Sequence, residues 1–169
     1  MTKQLNKKGT SLVELIAVIV IMGIIAGIAV PTTIAVINRQ KKNAAIKSAE
    51  TVYNAAKSVL LEASTGQSVD GVNPVTDSND NVIGYSTTAA ALATNSEIEK
   101  NPLDGTATMT ITYVLPTTGV AAYYKVVLSS GAKINGVEIF VHKKAQASTG
   151  DGDSFVKFAT SAQTFSTGD

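Results

Sequence analysis

Glu14 is the residue whose chemistry is hardest to reconcile with its surroundings. It interrupts an otherwise apolar stretch that runs from Leu12 to Val30. Insertion scales place the cost of an acidic side chain at the centre of a membrane helix at roughly 2.5–3.5 kcal/mol. We therefore expect this carboxylate to pair with a cation; a carboxylate that snorkels to the lipid headgroups is the simpler alternative.

The other groups that could do chemistry are few. His142 is the only histidine and there is no cysteine, so neither a metal cluster nor a Ser-His-Asp set can be assembled. His142 stands beside two lysines at a predicted strand end, which predicts a surface position. We predict no catalytic residue, no cofactor, no metal ligand and no enzymatic activity.

Residues 77–81, which read DSNDN, are similar to the start of a calcium loop. However, Val82 stands where such a loop needs glycine, and Thr88 stands where it needs the terminal acid. A polar turn is therefore favoured. Asp151 and Asp153 leave a weak calcium site open as the alternative.

The apolar stretch is long enough to cross a membrane. No charged residue occurs from Leu15 to Ile37, and about 20 helical residues span the hydrocarbon core of a bilayer. Lysines at positions 3, 7 and 8 predict that the N-terminus stays in the cytoplasm and the rest of the chain faces outward. A secretory signal peptide is the alternative, but the stretch is overlong for one and leads into NRQKKNAA.

The residues before the apolar stretch carry a specific motif. Asn6 to Gly9 read NKKG, and Thr10 to Glu14 read TSLVE. Over about residues 3–40 this order resembles the class III leader of type IV pilins and pseudopilins. The resemblance implies that a prepilin peptidase cuts between Gly9 and Thr10 and that the new N-terminal Thr10 is N-methylated. The family usually has Phe at that position, so Thr10 is a departure.

The same resemblance implies a structural role in a filament. Glu14 would pair with the amino group of Thr10 in a neighbouring subunit, a group that is cationic near neutral pH. The chain would begin as a single-pass prepilin in the cytoplasmic membrane and end in an extracellular type IV pilus that serves adhesion, surface motility or DNA uptake. The implied partners are other pilin subunits, the prepilin peptidase and the membrane platform that assembles pili, with no nucleic-acid site.

Two alternatives to a pilus subunit stay open. One is a pseudopilin of a type II secretion or competence system, which shares every N-terminal feature. The other is a single-pass, membrane-anchored binding domain that does not polymerise. Within the pilin resemblance, the absence of cysteine favours a Gram-positive source.

Helical periodicity continues beyond the membrane stretch. Apolar residues three and four positions apart predict one buried helix face, formed by Ala45, Ala49, Val52, Ala56, Val59, Leu60 and Ala63. Because Ser64-Thr65-Gly66 is a stop signal, the predicted helix covers about residues 10–64. At 1.5 Å per residue it would be about 80 Å long, so we expect its first half to extend beyond a globular domain.

A weak point is predicted within the first half of this helix, at Gly23, Gly27 and Pro31. Proline removes a backbone hydrogen bond, and glycine is a poor helix former. Close packing between helices through the small residues is the other role that this spacing suggests. The family resemblance implies that the stretch often unwinds in filaments.

The remaining residues predict a small α+β domain. Residues 67–106 are predicted to be rich in loops, with a short helix from Thr88 to Lys100. Antiparallel strands are predicted at Thr108–Leu115, Val120–Leu128, Val137–His142 and Phe155–Ala159. The predicted fold is α+β and type IV pilin-like, with the C-terminal half of the helix packed on an antiparallel sheet of three to four strands.

The chain is therefore predicted to have four parts. Residues 1–9 are the leader peptide, and residues 10–37 are the transmembrane or filament-core half of the helix. Residues 38–64 are its amphipathic half, and residues 65–169 are the exported head.

Overall fold

The structure is a computed structural model that describes residues 11–145 and 153–162, apart from the side chains of residues 29–32, 145 and 153. It consists of two compact units, Met1–Gln40 and Lys41–Asp169. The first helix, α1, covers Leu12–Ser64 and therefore contributes residues to both units. The described part of the first unit is helical after Ser11.

In the second unit, α1 buries the apolar face that its periodicity predicts. All seven predicted residues are buried, with at most 4% of any side chain exposed: Ala45, Ala49, Val52, Ala56, Val59, Leu60 and Ala63. The helix ends where the stop signal predicts. Gly66 adopts a φ of 92°, and its N–H donates to the carbonyl of Ala63 at 3.0 Å. This left-handed residue suits glycine, which has no Cβ to clash.

Four antiparallel strands form the main sheet of the second unit. They are β1 (Val72–Thr76), β2 (Val82–Thr88), β3 (Met109–Val114) and β4 (Tyr123–Leu128), and they pair in that order. A short helix, α2 (Ala89–Thr94), follows β2 directly. Its first turn is capped by the Thr88 hydroxyl, which accepts from the Ala91 N–H at 3.1 Å.

The remaining strands of the described residues form two antiparallel pairs. One pairs β5 (Lys133–Ile134) with β6 (Val137–Glu138), and the other pairs β7 (Phe140–Ala145) with β8 (Asp153–Ala159). Asn135 and Gly136 form the turn between β5 and β6 with φ values of 51° and 76°, as the Asn-Gly signal predicts. The Asp104 carboxylate accepts from both turn amides, at 3.2 Å from Asn135 N and 2.7 Å from Gly136 N.

The buried core of the second unit combines the helix face with one face of the sheet. The fully buried sheet residues Met109, Ile111 and Val126 join the apolar face of α1 in one cluster. Because side chains alternate across a strand, Thr110 and Thr112 lie on the opposite face. The molecule thus has a long N-terminal helix and an antiparallel four-stranded sheet, which is a mixed α+β class.

The structure corrects three predictions about the elements. The region predicted to be rich in loops contains β1 and β2, half of the main sheet. The helix predicted from Thr88 to Lys100 ends at Thr94. The single strand predicted at Val137–His142 is divided between β6 and β7. The residue between them, Ile139, donates its N–H to the carbonyl of Ala132 at 3.0 Å.

Candidate functional site

The N-terminal end of α1 is closed by a reciprocal pair of hydrogen bonds. The Ser11 hydroxyl accepts from the Val13 N–H at 3.3 Å, and the Glu14 carboxylate accepts from the Ser11 N–H at 3.1 Å. This is the capping box, in which a Ser and an acidic residue three positions later satisfy amides that the helix leaves unpaired. Glu14 therefore has a partner within its own chain.

Sequence reasoning missed this role of Glu14, although its signal was present. Ser11-Leu12-Val13-Glu14 fits the Ser-x-x-Glu pattern of a capping box. A carboxylate in the first helical turn is also favoured by the positive end of the helix dipole. The cost of placing Glu14 beside an apolar stretch is thus partly offset inside one chain, before any second subunit is considered.

Two predicted site residues, Gly9 and Thr10, lie outside the described residues. Thr10 is nonetheless bonded directly to Ser11, whose N–H the Glu14 carboxylate holds. A cut before Thr10 would create an amino group on the residue that directly precedes Ser11 in the sequence. Opposite charges at short range attract strongly where water is excluded.

The first unit displays apolar side chains on every side of α1. All side chains from Leu12 to Ile28 are exposed, among them Leu12 at 74%, Met22 at 64% and Ile28 at 68%. By length and composition α1 can cross a membrane. An apolar surface of this extent is unfavourable in water and favourable in lipid or against other apolar helices.

The predicted weak point lies within a continuous helix. The backbone is helical through Gly23, Gly27 and Pro31. A Cβ placed at either glycine would meet no atom within 4 Å outside its local backbone. Contacts within the chain therefore do not require glycine at these positions, and the predicted weakness stays a prediction.

His142 is not at the surface, so that prediction is wrong. Only 4% of its side chain is exposed, and its Nε2 lies 3.4 Å from the carbonyl oxygen of Ser161. Pairing of β7 with β8 sets His142 opposite Lys157. The neighbouring lysines suggested exposure, but the chain that follows β8 brings the carbonyl of Ser161 against the imidazole.

The Asp77 carboxylate accepts hydrogen bonds from backbone N–H groups of its own turn. The donors are the N–H groups of Asn79 at 2.8 Å and Asn81 at 3.0 Å. These hydrogen bonds lower the pKa of Asp77, with a further contribution from the Asn81 side chain. The segment is the β1–β2 hairpin turn, which agrees with the prediction of a polar turn.

Among residues 11–145 and 153–162 no group of three or more His, Cys, Asp or Glu side chains is placed to hold a metal. Asp151, which the sequence left open as part of a weak calcium site, lies outside these ranges.

The face of the main sheet opposite the core carries a groove of about 600 Å³. Valine side chains from the strands and from the β3–β4 loop line it, among them Val75, Val114 and Val120. Lys125 supplies the charged group in its wall. The described residues that line the groove include neither a carboxylate nor a histidine.

The unusual chemistry of the described residues is therefore concentrated at the start of α1, where a carboxylate in a capping box precedes an exposed apolar helix. Comparisons of the chain with protein-family models, with curated proteins and with solved structures found no match.

Proposed function

We propose that the chain is a type IV pilin, a structural subunit that is cut between Gly9 and Thr10 and polymerises through α1 into a surface filament. One observation carries the proposal: Glu14 lies in the first turn of α1, within an apolar segment whose side chains from Leu12 to Ile28 are all exposed. The residues that precede it match the sequence that a prepilin peptidase would recognise, with NKKG at the end of the leader and Thr10 as the first residue after the cut.

The exposed apolar side chains of the first unit are suited to two successive environments, the membrane and the filament. In the prepilin they would lie in the cytoplasmic membrane, where a helix satisfies its own backbone hydrogen bonds. In the filament the same surface would pack against the helices of other subunits. Both environments exclude water, so a second partner for Glu14 becomes energetically important.

That second partner is the amino group of Thr10 on a neighbouring subunit. This amino group does not exist until the leader is removed, so subunits could assemble only after cleavage. The arrangement of α1 on a four-stranded antiparallel sheet is consistent with a pilin-like fold. The proposal places the head outside the cell and assigns the chain no catalytic step.

The capping role and the pairing role of Glu14 can be separated by substitution. Gln at this position keeps the capping box, because its side-chain oxygen can still accept from the Ser11 N–H. It removes the negative charge that the ion pair needs. Ser11→Ala does the reverse, since it removes the hydroxyl cap at a cost of about 1 kcal/mol and leaves the carboxylate in place.

We expect Glu14→Gln to abolish filaments and Ser11→Ala to retain them. The measurement is electron microscopy of cells that carry the matching pilus machinery, combined with mass spectrometry of the mature chain. Both variants and the parent should begin at Thr10, which shows that processing is intact. Filaments of normal number from Glu14→Gln would restrict Glu14 to capping, and a chain that still begins at Met1 would reject the proposal as a whole.

A further inference from the structure

A second cluster of charge follows the apolar stretch. Lys41, Lys42 and Lys47 are exposed residues of α1 in the second unit. Arg39 precedes them in the sequence, and no acidic residue occurs between Glu14 and Glu50. We refer to Lys41, Lys42 and Lys47 as the lysine collar.

Two members of the lysine collar, Lys41 and Lys42, must lie close to the end of the uncharged stretch Leu15–Ile37 whatever path the backbone takes. Asn38, Arg39 and Gln40 alone separate Ile37 from Lys41. Even fully extended, these four steps span at most about 14 Å. If the apolar stretch lies in the hydrocarbon core, Lys41 and Lys42 therefore lie in or beside the layer of lipid headgroups, which is roughly 5–8 Å thick on each side.

The distribution of the lysines around the helix indicates what they contact. At about 3.6 residues per turn, Lys41, Lys42 and Lys47 point in three widely separated directions. A protein partner that docks from one side would reach only part of such a ring. Lipid headgroups can surround a membrane helix at the level of Lys41 and Lys42, which precede Ala45, the first buried residue among those that the structure describes, and headgroup phosphates are complementary to lysine in charge.

The orientation of the proposed pilin gives a second reason to expect an anionic partner here. Cations flank both ends of the apolar stretch, with Lys3, Lys7 and Lys8 on one side and the lysine collar with Arg39 on the other. The positive-inside rule disfavours export of the second set. Anionic headgroups on the outer surface would offset that cost, since each Lys near such a surface is attracted to it.

We infer that the lysine collar binds the phosphate groups of anionic lipids at the outer face of the membrane and holds the subunit there before assembly. The inference rests on the membrane-inserted state of the proposed function, but not on leader cleavage or polymerisation. The lipid is defined by chemistry alone, as one whose headgroup carries net negative charge.

The test uses the full-length chain reconstituted in phosphatidylcholine vesicles that contain a small amount of spin-labelled lipid. Electron paramagnetic resonance separates lipid immobilised at the protein from bulk lipid. We expect spin-labelled phosphatidylglycerol to be preferred over spin-labelled phosphatidylcholine by about threefold or more, a preference that high salt should reduce. Equal association of the two lipids with the parent chain would overturn the inference.

Matched variants assign the preference to the lysine collar. Substitution of Lys41, Lys42 and Lys47 by Gln keeps a similar helix propensity and an unbranched polar side chain, one atom shorter, but removes three charges. The control carries the same number of Lys→Gln changes at exposed head positions, Lys100, Lys133 and Lys144. We expect the collar variant to lose a large part of the preference, since only Lys3, Lys7, Lys8 and Arg39 then remain beside the membrane stretch, and the control to keep it in full. A preference in the collar variant equal to that of the parent chain contradicts the inference.

Carboxylates of a neighbouring subunit are the other groups that could bind the lysine collar. The same vesicles distinguish them from lipid. If those carboxylates are the partner, the collar variant should reduce chemical cross-linking between subunits while lipid preference stays unchanged, and the inference is then wrong. The lipid readout does not depend on where the chain is cut or on whether filaments form. Failure here therefore leaves the pilin proposal standing, and failure of Glu14→Gln to block filaments leaves the lipid preference standing.

Discussion

Tyr124 lies in a cluster of aromatic rings that links α1 to the sheet in the second unit. Its ring centroid is 5.8 Å from that of Tyr53 and 5.0 Å from that of Tyr113. The ammonium of Lys57 lies 5.6 Å from the centroid of the Tyr124 ring, a distance at which cation–π attraction acts. Burial, with smaller contributions from the neighbouring Tyr113 and Tyr53, raises the pKa of Tyr124 to about 12.

This raised pKa predicts that the second unit loses stability in alkaline solution. The unfolded chain releases the Tyr124 proton near pH 10.0, whereas the folded chain holds it to about pH 12. Between these values the folded state binds more protons, so the free energy of unfolding falls as the pH rises. Below pH 10.0 both states are protonated and the contribution is constant.

Tyr124→Phe should weaken this pH dependence, because it removes the titrating group and keeps the ring. The measurement is urea unfolding of the full chain in detergent micelles, at a pH below 10.0 and at several values up to about 12. Tyr53, whose pKa burial also raises, still titrates in the variant, so some dependence should remain. Equal slopes for the parent and Tyr124→Phe would contradict the assignment.

Among the elements, α1 offers two adjacent leucines in opposite environments. Leu60 is fully buried in the core, whereas 45% of Leu61 is exposed. Leu60→Ala should cost about 2–5 kcal/mol, since it removes buried methyl groups and leaves a cavity. Leu61→Ala should change the free energy of unfolding by about 0.5 kcal/mol or less, as surface substitutions usually do.

Urea unfolding of the two leucine variants, followed by the near-ultraviolet signal of the head tyrosines, checks this difference. The substitutions are chemically identical and one position apart, so the detergent and the membrane stretch affect both equally. Similar losses in the two variants would show that α1 does not pack on the sheet by the face described here.

The two leucines also show why the helix could be predicted from the sequence. Residues at three- and four-residue spacing face one side of any helix, so the pattern identifies Leu60 and excludes Leu61 without further information. Strands β1 and β2 offered no such pattern. β1 contains Pro74, which a sheet tolerates only at an edge or a bulge, and β2 contains Gly84.

Gly84 illustrates a constraint that depends on the fold as a whole. A Cβ at this position would lie 2.5 Å from the carbonyl oxygen of Tyr113 on the neighbouring strand. The glycine is therefore required by the close approach of β2 to β3, residues about thirty positions apart in the sequence. The burial of His142 also depends on residues distant in the sequence, because the carbonyl of Ser161 lies against its imidazole.

At the scale of the whole molecule, the two units are stabilised by different means. The second unit has an apolar core shared by α1 and the sheet. The described side chains of the first unit from Leu12 to Ile28 are exposed, so its helix depends on backbone hydrogen bonds and on the apolar environment around it. Local opening should therefore be easiest where the first unit also lacks a backbone hydrogen bond.

That place is the stretch from Gly23 to Pro31. Pro31 has no N–H to donate to the carbonyl of Gly27, and each glycine costs about 1 kcal/mol relative to alanine in a helix interior. We expect amides in this stretch and the turn after it to exchange with solvent deuterium faster than those of the buried face from Ala45 to Ala63. Hydrogen exchange of the full chain in detergent micelles, read by mass spectrometry of fragments, measures the difference.

Pro31→Ala should slow exchange around residue 31, by up to roughly 100-fold if the full cost of about 3 kcal/mol for an interior proline is recovered. Pro74→Ala is the control, because Pro74 lies in β1 and should leave exchange in α1 unchanged. Unaltered exchange in Pro31→Ala would show that the environment of the helix, and not the proline, sets its stability. If exchange slows and the chain is a pilin, filaments of Pro31→Ala should also extend less under force, because extension would require the same backbone hydrogen bonds to open.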